Sequence, residues 1–77
     1  MGVEIIFFGQ LTDKVGSANL IMDNPGNIEA LKKVLFERFP LLIQSKFTIA
    51  INNKIVLDNV TINEQDKIAL MPPFSGG

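Results

Sequence analysis

The chain closes on Pro72-Pro73-Phe74-Ser75-Gly76-Gly77, and it is here that residue type and spacing could do chemistry. Gly76 and Gly77 have no Cβ, so this stretch can enter a channel that any side chain would block. Pro72 and Pro73 hold φ near its extended value and cannot continue a sheet ladder, which sends the chain stiffly out of the body. At about 3.3 Å per residue, six extended residues reach roughly 20 Å. The chemistry on offer is that of a carboxylate on Gly77, carried into a site that another protein builds. A frayed or disposable terminus is the bland alternative. Two prolines, an aromatic, a small residue and two glycines directly after an apolar run form a narrower pattern than that.

The rest of the chain offers little chemistry of its own. It has no cysteine and no histidine among its 77 residues. Thiolate nucleophiles, disulfides, the usual zinc ligands and the usual general base are therefore missing together. Seven basic and eight acidic side chains are spread without a block of either sign, which leaves nothing to grip nucleic acid or an anionic membrane. No apolar run approaches the roughly 18 residues of a bilayer span, and Met1 to Phe8 lacks the pattern of a signal peptide. A cytoplasmic protein is expected. The length allows one domain, and 47% hydrophobic content is enough for a real core.

The elements that must position the terminus follow from periodicity. Gly2 to Phe8 reads as a strand, with Val3, Ile5 and Phe7 on one face and Glu4, Ile6 and Phe8 on the other. Ile6 and Phe8 are too apolar for a face bathed only in water. A single helical turn is expected near Leu11 and Val15, closing at Gly16. Ala18 to Asp23 reads as the return strand. Asn27 is a candidate N-cap for a helix from Ile28 to about Phe39, whose buried stripe is Leu31, Val34, Leu35 and Phe39. Pro40 ends it. Phe47 to Ile51 and Lys54 to Leu57 form a hairpin around Asn52-Asn53. Asp58 to Asp66 is a polar connection with one apolar anchor, Ile62. Lys67 to Met71 is the last strand. The expected fold is α+β, a β-grasp with a mixed sheet of four to five strands, one main helix and an extended C-terminal tail. Its first and last strands are central and parallel. Residues 1–71 form the domain and 72–77 a flexible tail. A two-layer α+β sandwich with another strand order is the alternative.

With tail and strand order together, the sequence resembles the ubiquitin-like sulfur carriers, and within them the small subunits of molybdopterin synthase. Three stretches carry the likeness. Val3 to Leu11 is similar to the family's opening strand and loop, Ile49 to Lys54 to its hairpin, and Asp66 to Gly77 to its closing strand and tail. The last is the specific one. The chain departs from the pattern at Asn63-Glu64-Gln65, where relatives commonly have a glycine-containing turn, and at Lys67, commonly an acid.

The resemblance implies a carrier, not a catalyst. An adenylating enzyme of the ubiquitin-activating type would activate the Gly77 carboxylate with ATP and magnesium, and no cofactor would be bound by this chain itself. A persulfide would displace AMP and leave a thiocarboxylate on Gly77. The large subunit of molybdopterin synthase would then take the tail and pass the sulfur to a pterin precursor. Gly76 and Ser75 would give access, and Phe74 beside Pro72 and Pro73 would anchor the partner or fold back on its own domain. Ile6, Phe8, Ala69 and Met71 are expected to form an apolar docking patch on the face away from the helix, or simply the scattered apolar residues of a central strand. Lys32, Lys33, Lys46 and Lys54 read as solvated charges. A thiamine-type sulfur carrier, a covalent protein modifier and a plain binding module share parts of this pattern. The Pro72-Pro73-Phe74 approach favours the molybdopterin branch.

Overall fold

The computed structural model describes residues 2–73, so Phe74, Ser75, Gly76 and Gly77 lie outside the described residues. Five strands and two α-helices make up the body: β1 (Gly2–Phe7), α1 (Gln10–Val15), β2 (Asn19–Asp23), α2 (Ile28–Arg38), β3 (Thr48–Ile51), β4 (Lys54–Val56) and β5 (Lys67–Met71). The sheet order is β2-β1-β5-β3-β4. Only the β1–β5 pair is parallel, with Glu4 opposite Lys67 and Phe7 opposite Leu70. The other three pairs are antiparallel. This is a β-grasp, with a five-stranded mixed sheet and one main helix.

Alternation in β1 does what its sequence predicts. Val3, Ile5 and Phe7 are buried, and they join Ile49, Ile68 and Leu70 of the neighbouring strands beneath α2. From the helix come Ile28, Leu31 and Leu35. Val34, expected in the buried stripe, is only half-buried, and Phe36 packs against the core instead, its ring 6.1 Å from that of Phe47. The helix face has turned toward the start of β3. Phe39, just past the last turn, meets Phe7 edge-on at 6.3 Å, a geometry that aligns ring edge with ring face.

Asn27 caps α2 as its type predicts, accepting a hydrogen bond from the Ala30 N–H at 2.9 Å. A second cap comes from elsewhere in the chain. Asn59 Oδ1 accepts from the Glu29 N–H at 2.9 Å, and Val60 O accepts from the Ile28 N–H at 3.1 Å. Two more of the helix's orphan donors are thereby satisfied by the 58–66 connection. That connection is less of a free loop than its polarity suggests. Val60 as well as Ile62 packs on the core, and Thr61 bridges to Asn27. Pro40 does stop the helix, but it also opens a short 3-10 turn, Pro40–Leu42, which drives Leu42 fully into the core. The pattern alone gave no sign of that turn, because three residues are too few for a period.

The β3–β4 turn matches its chemistry. Asn52 and Asn53 adopt φ of 49° and 71°, the conformation of a tight hairpin of this hand. Asn52 is also tied to β5: its Nδ2 donates to Asp66 Oδ1 at 2.9 Å, and its Oδ1 accepts from the Lys67 N–H at 3.0 Å. Asp66 Oδ2 accepts in turn from the Asn63 N–H at 2.9 Å. At the departure from the family pattern, Gln65 takes φ of 68°. A side chain in that region costs about 1–2 kcal/mol.

Two outcomes follow for stability. Leu35→Ala removes a fully buried side chain and is expected to cost about 2–5 kcal/mol in denaturant unfolding. Gln65→Gly relieves the left-handed residue while loosening the unfolded chain by about 0.4–1 kcal/mol, so a net gain of up to about 1 kcal/mol is expected in the same experiment.

Candidate functional site at the tail root and the open sheet face

The parallel pairing of β1 and β5 sends both strands out at the same end of the sheet. At that end β1 runs into the Phe8–Leu11 loop and β5 into Pro72. The Phe8 N–H donates to Leu70 O at 3.0 Å, one residue beyond the last paired position of β1. The loop then turns back on itself. The Leu11 N–H donates to Phe8 O at 3.2 Å, and the Thr12 N–H donates to Gly9 O at 3.1 Å. Thr12 Oγ1 donates to Phe7 O at 3.1 Å.

Gly9 sits at the centre of this loop with φ of 58° and ψ of −135°, a combination open essentially to glycine alone. A Cβ there would lie 2.8 Å from Pro72 Cγ. Pro72 therefore rests against bare backbone, half-buried, whereas Pro73 is exposed. The opening loop, singled out in the sequence for its family likeness, is the seat of the first tail residue. No spacing rule links Gly9 to Pro72; they meet only because two strands whose paired residues are 63 positions apart lie side by side.

The face of the sheet away from α2 is open. Ile6 and Met71 are half-buried there, and Phe8 is 47% exposed. They line a shallow cleft of about 450 Å³ together with Ala69, Ala50 and Ile55, rimmed by Asn52, Asn53 and Lys67. The sequence pattern named Ile6, Phe8, Ala69 and Met71. It missed Ala50 and Ile55, although the signal existed: in the hairpin register Ala50 stands opposite both Ile55 and Ala69. The two alanines keep the floor of the cleft low, and Ile6, Phe8, Ile55 and Met71 form its apolar walls.

Pro72 and Pro73 are placed at the edge of the body, and Phe74, Ser75, Gly76 and Gly77 lie beyond the described residues. Among the described residues there is no cluster of three or more acids that could hold a metal, and no helix long and apolar enough to cross a membrane.

The sequence model of the ThiS family matches residues 5–77. The chain belongs to the ThiS family of ubiquitin-like sulfur carriers. Its whole length also aligns with 99% of the molybdopterin synthase sulfur carrier subunit of Caenorhabditis briggsae, at 26% identity. Among solved structures, a chain of the complex of subunits 1 and 2 of the molybdopterin-converting factor of Helicobacter pylori is 28% identical over 100% of both chains, with a TM-score of 0.76. SAMP1 of Haloferax volcanii, also matched over 100% of both chains, reaches a TM-score of 0.80 at 20% identity, a likeness of fold.

The contact of Gly9 with Pro72 is open to test. Gly9→Val is expected to lower stability by about 1–3 kcal/mol, read by thermal or denaturant unfolding. The largest chemical-shift changes in NMR spectra should fall at Met71, Pro72 and the 8–12 loop. A variant as stable as the parent, with unchanged signals at Met71 and Pro72, would show that the loop does not brace the tail.

Proposed function

We propose that this chain is the sulfur carrier of a molybdopterin synthase, bearing a thiocarboxylate on Gly77 and acting as the enzyme's non-catalytic small subunit. The observation that carries the reading is the conjunction at one end of the fold. Pro72, seated on Gly9, leads out of the sheet there, next to an open apolar cleft, at the root of a Gly-Gly terminus. Full-length likeness to a molybdopterin synthase sulfur carrier subunit supports it, as does likeness to a chain of the Helicobacter pylori two-subunit complex. Residues 1–71 serve as the handle and residues 72–77 as the working part.

The chemistry follows from the state of a carboxylate at neutral pH, which repels nucleophiles. An oxygen of Gly77 attacks the α-phosphorus of ATP on an activating enzyme, and pyrophosphate leaves. The terminal sulfur of a persulfide attacks the resulting acyl carbon, and AMP departs. A second thiol reduces the S–S bond, leaving the thiocarboxylate on Gly77. In the synthase, the large subunit accepts the tail and directs that sulfur to the pterin precursor. This chain supplies presentation. Gly76 and Ser75 keep the terminus slim, and Phe74 with Pro72 and Pro73 anchors it at low entropic cost. The cleft around Ile6, Phe8 and Met71 docks the body on the large subunit by burying apolar surface on both sides.

The same terminal activation would serve a covalent protein modifier, a reading favoured by the fold likeness to the Haloferax volcanii small archaeal modifier protein 1. Intact mass spectrometry of the protein from its own cells separates the two. One oxygen exchanged for sulfur at the C-terminus is expected; isopeptide-linked conjugates without that exchange would establish the modifier instead. Appending one bulky residue after Gly77 is expected to abolish sulfur transfer while leaving the melting curve unchanged, and undiminished transfer would overturn the carrier reading. Phe8→Asp is expected to weaken binding to the large subunit by about thirtyfold, or roughly 2 kcal/mol, measured by calorimetry on the two purified subunits.

A further inference from the structure

Beside the tail root, on the side of the body where α1 packs against the 3-10 turn, lies a second groove of about 260 Å³. Pro72 and Pro73 line it, with Gln10 and Lys14 contributed by α1 and Gln44 and Lys46 by the segment after the turn. Among the described residues, eight line this groove and none of the eight has a carboxylate side chain. Lys14 is half-buried and Lys46 is exposed. The chain as a whole carries a net charge of −1, so this pair of cations is a local feature and not the face of a basic protein. In sequence they are 32 positions apart, and Lys46 reads there as one more solvated charge.

We propose that Lys14 and Lys46 are positioning residues that register this chain on an acidic rim around the tail channel of its activating enzyme. The inference rests on the sulfur-carrier reading and adds the chemistry of the partner. Only four residues separate Pro73 from the terminus, which spans roughly 13 Å even when fully extended. For Gly77 to reach a buried nucleotide site, the mouth of the channel must close around the tail root, and so over this groove. Two ammonium groups then lose water in a groove whose described lining has no carboxylate side chain. That loss is offset only if the partner brings carboxylates to the rim. The lysines sit too far back along the chain to serve the reacting phosphates, so their contact is with the protein.

The activating enzyme suits this contact better than the large subunit does. A carrier must leave its activating enzyme after each cycle, and rim charges speed encounter more than they prolong the complex. The apolar cleft on the outer sheet face supplies the burial that a lasting complex needs.

The test is ATP–pyrophosphate exchange by the activating enzyme, with the full chain as the varied substrate at several salt concentrations. The variants are Lys14→Glu/Lys46→Glu, Lys14→Arg/Lys46→Arg and, as a control on the outer face of α2, Lys32→Glu/Lys33→Glu. For the reversed pair KM is expected to rise about tenfold or more, with kcat held within about twofold. The KM of the parent chain should rise with salt, and that of the reversed pair should rise much less. The arginine pair and the α2 control should stay close to the parent, as should binding of the reversed pair to the large subunit. Lys14→Gln/Lys46→Gln, expected to raise KM about three- to tenfold, carries the test should charge reversal unfold the chain. An unchanged KM, a loss confined to kcat, an equal effect of the control pair, or an equal loss of binding to the large subunit overturns the inference and leaves the carrier reading standing. A parent chain that the enzyme does not adenylate overturns both.

Discussion

The parallel pairing of β1 with β5 is the constraint on which the rest of this molecule depends. Parallel neighbours need a long crossover, and here everything from the Phe8 loop to Asp66 is that crossover, including α2 and the β3–β4 hairpin. Both strands are flanked on each side within the sheet, so neither is an edge. Their inward residues, Val3, Ile5 and Phe7 against Ile68 and Leu70, are all almost completely removed from water. Because the strands run the same way, the opening loop and the departing tail emerge together. Pro72, at the root of the tail, is thus seated beside a well-buried part of the fold.

That seat is local and steric. Gly9 adopts a backbone conformation closed to other residues and leaves room for Pro72, while Thr12 and the Phe8 and Gly9 carbonyls hold the loop in place. The far end of the sheet is held by polar contacts. Asn52, Asp66 and Asn63 link the β3–β4 turn to the start of β5 through three hydrogen bonds of 2.9–3.0 Å. One end of β5 is fixed by side-chain hydrogen bonds and the other by close packing, so the strand enters the tail in a defined direction. A carrier whose chemistry happens in other proteins needs this direction more than it needs a pocket.

The two faces at the tail end differ in character. The outer sheet face offers apolar walls over a low alanine floor, and the groove beside α1 is lined by two lysines and by Pro72 and Pro73. Surfaces of these two kinds suit different encounters, one lasting and one brief. On the proposed reading, the two encounters would fall on either side of the tail root.

Much of this was legible in the residues. Period-two alternation set the strands and their buried faces to within a residue or so, and Asn52-Asn53 and Asn27 marked turn and cap through their own local chemistry. The tail pattern pointed to the ubiquitin-like sulfur carriers because its constraints are those of a single extended segment, with no tertiary partner required to express them. Four features needed the folded chain: the turn of α2 that favours Phe36 over Val34, the second helix cap from Asn59, the seat of Pro72 on Gly9, and the groove that Lys14 and Lys46 share. Each joins residues through packing or register between elements, and local periodicity carries no information about which surfaces of different elements will touch. The sequence by itself determined the elements and the slim Gly-Gly pattern; the parallel crossover at the sheet's centre decided where Pro72 leaves the body and what it rests on.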